Sequence, residues 1–169
     1  MIVYPSSFSS DFERAFLNAV SSVFPESNLS CCFFHFKQSM WRNIQEFGLS
    51  IEYRTSHEMY QNLLMPQCLA YLPPDDVVSA FNELKEKIPI DKDERLKKFY
   101  VYFEETYVSK YTESRGRYNK KILLPTDPMF PINLWNIHHR YIENKSRTNN
   151  FCESWHNAFS GILNAHPVV

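Results

Sequence analysis

Apolar residues recur along the chain with changing period, and the period outlines the elements. Ser7 to Ser10 reads as a strand end. Ser10-Asp11-Phe12-Glu13 then has the spacing of a capping box, followed by Phe12, Ala15, Phe16, Ala19, Val20 and Val23 on one helical stripe, which predicts a first helix over Asp11 to Phe24. Leu29 to Phe36 is almost continuously apolar and of strand length, as expected for a strand covered on both faces. Lys37 to Phe47 predicts a helix closed by Gly48.

From His57 the period becomes helical throughout. Met59, Leu63, Leu64, Cys68 and Leu69 mark a helix bent near Pro66. Val77, Val78, Phe81 and Leu84 mark another after Pro73-Pro74, and Asp93 to Val108 a third. Lys110 to Pro131, rich in proline and in the cations Lys110, Arg115, Arg117, Lys120 and Lys121, reads as a surface loop. Two helices are expected to finish the chain, Ile132 to Ile142 and Asn150 to Leu163.

Composition narrows the class. With 169 residues, 44% hydrophobic and 16% aromatic, the chain has the material for one packed domain. Lys plus Arg number 18 against 19 Asp plus Glu, so affinity for nucleic acid would have to come from a local patch. No window reaches the roughly 18 apolar residues of a membrane span, and the N-terminus lacks a signal-peptide pattern; the expectation is a soluble intracellular protein. Four cysteines, two of them adjacent (Cys31, Cys32), are too sparse for a disulfide framework and are expected to be reduced thiols.

Three segments carry candidate chemistry: Ser10 to Ala15 around Asp11-Phe12-Glu13, Cys32-Phe33-Phe34-His35-Phe36, and Arg147 to His156 around Asn149-Asn150-Phe151-Cys152-Glu153. Their order and spacing resemble the Mutator-like element (MULE) transposase family. There, a DFE-type segment holds the second acid of a DDE triad, a Cys-x-x-His element follows, and the third acid opens a late helix. Phe36-Lys37-Gln38 with Trp41-Arg42, Leu69 to Pro73, and Leu134-Trp135-Asn136 extend the resemblance over essentially the entire chain.

The resemblance implies an α/β fold. It would be a partial RNase H-like core, residues 1–56 holding the second acid and the Cys-x-x-His strand, 57–131 an all-helical insertion with the basic loop, and 132–169 C-terminal helices with the third acid. It implies Asp11 and Glu153 as ligands of Mg²⁺ or Mn²⁺, with His35 in support, and an ancestral activity of metal-dependent DNA strand cleavage and transfer through two ions. The alternative role for Asp11 and Glu153 is helix capping, since each is expected in a first helical turn.

The residues before Asp11 contain no Asp or Glu. The expectation is therefore a truncated, transposase-derived protein that does not cut DNA alone, or a chain whose first acid is encoded upstream. A second chain supplying the missing strands is the implied protein partner. DNA is the other, with Arg115, Arg117, Lys120, Lys121 and Arg147 as candidate phosphate contacts. A domesticated DNA- or protein-binding module is the competing reading, and nuclear residence follows from ancestry alone. Cys32, His35, Cys152 and His156 form a candidate zinc set, against which strand geometry would point residues i and i+3 to opposite faces.

Overall fold

In the computed structural model, which describes residues 4–115, 121–148 and 154, the chain opens with a parallel crossover. Strand β1 (Ser7–Ser10) leads through helix α1 (Arg14–Val23) to strand β2 (Asn28–Cys31), which pairs with β1 in parallel, Ser7 opposite Asn28 and Ser10 opposite Cys31. Parallel strands cannot be joined by a tight turn, so the intervening helix is what this pairing requires. Helix α1 begins three residues later than its apolar stripe suggested: Glu13, in extended conformation, is its N-cap and makes no side-chain capping bond. The expected capping box does not form, and Asp11 lies before the helix.

The apolar run Leu29 to Phe36 is not one strand. Strand β2 ends at Cys31, Cys32 is the extended N-cap residue, and helix α2 (Phe33–Glu46) starts immediately after it. An unbroken apolar run of this length does not by itself separate strand from buried helix. Phe36, Met40 and Ile44 settle the matter at helical spacing, burying one face of α2 at the centre of the molecule. Gly48, at φ +70°, turns the chain after this helix, and Leu49 N–H donates back to the Ile44 carbonyl at 2.9 Å.

The middle of the chain is helical: α3 (Ser50–Thr55), α4 (His57–Cys68), α5 (Val77–Lys87) and α6 (Glu94–Phe103), the last running on as a wider π-helical turn, Glu104–Val108. Pro66 sits inside α4. Having no N–H, it leaves the Asn62 carbonyl without its helical donor, and the Tyr100 hydroxyl donates to that carbonyl at 2.8 Å from α6. A buried Gln67 answers the next carbonyl, its amide donating to Leu63 O at 2.9 Å.

Lys110 to Pro131 was expected as a loop. It contains an antiparallel hairpin, β3 (Lys110–Arg115) and β4 (Lys121–Thr126), with Arg115 opposite Lys121 where the hairpin leaves the described residues. The expected helix Ile132 to Ile142 is two, α7 (Ile132–Trp135) and α8 (His138–Ile142). Asn136 divides them: its amide donates to Leu72 O at 2.8 Å and its Oδ1 accepts from His138 N–H at 3.0 Å, so it leaves helical geometry to start the next helix. The final helix expected from Asn150 to Leu163 lies outside the described residues.

Aromatic packing joins the layers. Phe36 stacks on Trp135 at 5.2 Å and 1°, and meets Tyr107 edge-on at 5.2 Å. Trp135 is fully buried, with its indole N–H donating to Tyr107 O at 3.0 Å. The architecture is helix-rich α/β: a parallel two-stranded sheet with its crossover helix, a central α2, and helices from the middle and end of the chain packed around it. No helix among the described residues is long and apolar enough to cross a membrane.

Candidate functional site

Function in parallel α/β units gathers where strands end and the following helices begin, because helix N–H groups and loop side chains converge there. Asp11 directly follows β1, and Cys32 directly follows β2 as the N-cap residue of α2. Cys32 N–H donates to Ser10 O at 2.8 Å, continuing the sheet ladder to this edge. His35 is in the first turn of α2, not on a strand, and its Nδ1 lies 2.8 Å from Asp11 Oδ1. The Asp11 carboxylate, free of a helix, is half exposed, whereas His35 Nδ1 itself is shielded from solvent.

The third segment comes to the same corner. Phe33 N–H, at the open end of α2, donates to the Arg147 carbonyl at 2.9 Å. Arg140, half-buried on α8, donates through Nη2 to Cys31 O at 3.1 Å. It anchors the C-terminal segment to the end of β2, and its burial holds its pKa below the ordinary guanidinium value. The Arg147 guanidinium lies 5.5 Å from the Tyr141 ring, and Tyr141 packs edge-on against Tyr71 at 5.8 Å. Arg147 is thus exposed and braced beside Phe33, Lys145 and Thr148, which line an open groove of about 460 Å³.

Cys31 and Cys32 are both fully buried. Burial pushes the Cys31 thiol up to about 12; the nearby Arg140 cation opposes this, and Asp11 adds to it. A thiol with that affinity for its proton is a weak nucleophile and a weak metal ligand near neutrality. Of the candidate zinc set, Cys32 and His35 lie on the same helix start, which removes the strand objection; Cys152 and His156 lie outside the described residues. Among the described residues no group of three or more His, Cys, Asp or Glu side chains gathers as metal ligands.

The structure therefore brings together Asp11, His35, Cys32 and the Arg147 backbone. Glu153, Arg117 and Lys120 lie outside the described residues, and Arg115 and Lys121 are placed only as facing positions in the hairpin. Sequence reasoning missed Arg140, whose signal was a lone cation within the apolar pattern of the expected helix Ile132 to Ile142. Comparison with family models, curated proteins and solved structures yields no match.

Proposed function

We propose that this chain derives from the catalytic domain of a MULE-type transposase, its described core being the part of an RNase H-like fold that follows the second acid. One observation carries the reading: the segments that bear the resemblance, far apart in sequence, meet at one strand-end corner. There Asp11 contacts His35 at 2.8 Å and Phe33 N–H takes the Arg147 carbonyl at 2.9 Å. The alternative role of Asp11, capping α1, has lost its geometry, since Glu13 holds that position.

Mg²⁺ and Mn²⁺ are hard ions that need several oxygen ligands, and two-ion cleavage needs several carboxylates. The described corner supplies one carboxylate, engaged by an imidazole. That donor set does not hold two such ions, so cleavage is not assigned to it; Glu153 would have to join it for even one ion to be held well.

The test is paramagnetic broadening in ¹⁵N spectra during Mn²⁺ titration. Amides flanking both Asp11 and Glu153 are expected to broaden together, and Asp11→Asn to abolish both effects. Broadening at only one of the two positions, or at neither, overturns the reading.

A second reading, a DNA-binding module without catalysis, is favoured by the β3–β4 hairpin. A two-stranded ribbon fits the major groove of duplex DNA, and the register brings Arg115 opposite Lys121. Duplex binding that weakens with salt and is lost when Arg115, Arg117, Lys120 and Lys121 are neutralised would support it. A partner chain completing the sheet is supported by α1, which leaves Phe16 43% and Val23 63% exposed.

A further inference from the structure

Helix α2 uses two faces. Phe36, Met40 and Ile44 are buried, while Phe34, Gln38 and Trp41, spaced by four and three positions, line an open surface groove of about 450 Å³ with Lys37 and Tyr53. Tyr53 also lines a second depression of about 540 Å³, bordered by Arg54, His57 and Tyr60. The aromatic rings form a ladder, Trp41 to Tyr53 at 5.5 Å and Tyr53 to Tyr60 at 5.0 Å. At its head the Arg54 guanidinium lies over Trp41 at 5.6 Å.

Trp41 and Tyr53 also pack against the core, but two properties set the outer side of the ladder apart. Its ends face solvent, with Phe34 44% and Tyr60 38% exposed. No carboxylate lines either stretch, while Lys37, Arg54 and His57 do. Lys37 and Arg54 have no ion pair among the described residues. The N-terminal end of α4, at Ser56 and His57, borders the second depression, with Glu58 in its first turn offsetting the partial positive charge of the helix end.

We propose that this groove binds a short run of single-stranded DNA, with bases stacked on Phe34, Trp41, Tyr53 and Tyr60 and phosphates against Lys37 and Arg54. Every base offers a flat face to an aromatic ring, and cations interleaved with aromatics are what an unpaired, polyanionic strand requires. Duplex DNA, whose bases are already stacked, cannot use the rings. Phe34 adjoins His35, their rings 5.4 Å apart, so the strand would run to the Asp11 corner. The choice of DNA over RNA rests on the transposase reading; the stacking chemistry does not.

Fluorescence anisotropy of labelled oligo(dT) with the full chain tests this. Phe34→Ala and Tyr60→Ala, both at exposed positions, should each weaken binding about 10-fold, with melting temperatures little changed. Lys37→Gln and Arg54→Gln should each reduce the salt slope by about 0.7. Binding should be the same in EDTA as in Mn²⁺, which separates failure of this proposal from failure of the metal-site reading. The proposal is overturned by unaltered binding in both aromatic variants, by equal affinity for a duplex of the same length, or by tighter binding of oligo(U). Displacement by an acidic, aromatic peptide at lower concentration than oligo(dT), or loss of binding only when the hairpin cations are neutralised, overturns it equally.

Discussion

The backbone N–H of Phe33 donates to the carbonyl of Arg147, at 2.9 Å, across most of the described length of the chain. A helix start has N–H groups with no partner of their own, and here one of them is answered by a distant stretch of irregular backbone, while the side chain of Cys32, the N-cap residue, makes no capping hydrogen bond. The start of α2 is thereby tied both to β1, through Cys32 and Ser10, and to the segment that leads on to Glu153.

Trp135 is expected to be the most costly side chain to remove. It is fully buried, stacked on Phe36, and bonded through its indole to the Tyr107 carbonyl. Trp135→Ala should cost about 3–5 kcal/mol, as large buried aromatics do. Trp135→Phe should cost less, leaving mainly the unanswered Tyr107 carbonyl, about 1–3 kcal/mol. Urea unfolding of the two variants checks the order; equal losses would show that the hydrogen bond carries the effect and the packing does not.

Gly48→Ala isolates backbone strain from packing. Gly48 sits at φ +70°, and a Cβ added there meets no atom within 4 Å. The whole cost is then the left-handed conformation of an alanine, about 1 kcal/mol. A larger loss measured by chemical denaturation would mean that the turn between α2 and α3 is closed more tightly than it stands here.

These positions also show what was legible in the sequence. Gly48 was readable because a glycine after an apolar helical stripe has a single strong use, and the helices of the middle section were readable because their stripes bury against one another. The Cys32-to-His35 stretch was not, because its phenylalanines favour a strand locally, and packing of Phe36 against distant rings, Trp135, Tyr107 and Phe103 among them, selects the helix. The β3–β4 hairpin was hidden by Pro125, which pairs with Tyr111 although proline argues against a strand interior. Of the corner, Asp11 and His35 were named from sequence, but their contact depends on where α1 begins, and the misread capping box concealed it.

Arg95 should govern acid sensitivity at the α3–α6 contact. Its guanidinium reaches Glu52 at 2.7 Å and Asp93 at 2.8 Å, and also donates to Gly48 O at 3.1 Å. Both carboxylates are held below their ordinary pKa, chiefly by hydrogen bonds from Arg95. A depressed carboxylate stabilises the fold above its unfolded pKa, near 4, and that contribution is lost as pH falls through the folded value. Arg95→Gln should therefore lower the melting temperature modestly at pH 7 and much less at pH 3. The groups are solvent-exposed, so the pH 7 difference should shrink further in high salt.

Cys31 predicts the opposite limb. Burial raises its thiol from the ordinary 9.0 to about 12. Above pH 9 the unfolded chain releases this proton while the folded chain retains it, so the unfolded state binds fewer protons and stability falls as pH rises, by up to about 1.4 kcal/mol per pH unit. Below that window the thiol is neutral in both states and contributes no slope. Tyr100 and Tyr107, whose burial also raises their pKa, act in the same direction, but only from the ordinary tyrosine value of 10.0 upward. Cys68, whose thiol burial also raises from 9.0, acts in the interval between pH 9 and 10 as well, so the share of Cys31 is read there from the difference between wild type and variant. Cys31→Ala should be less stable at neutral pH, because it leaves a small cavity beside β2, yet lose less stability than the wild type across that interval. Parallel denaturation curves at the two pH values would decide it: identical slopes for wild type and variant would mean that Cys31 ionises in the folded chain as readily as in the unfolded one.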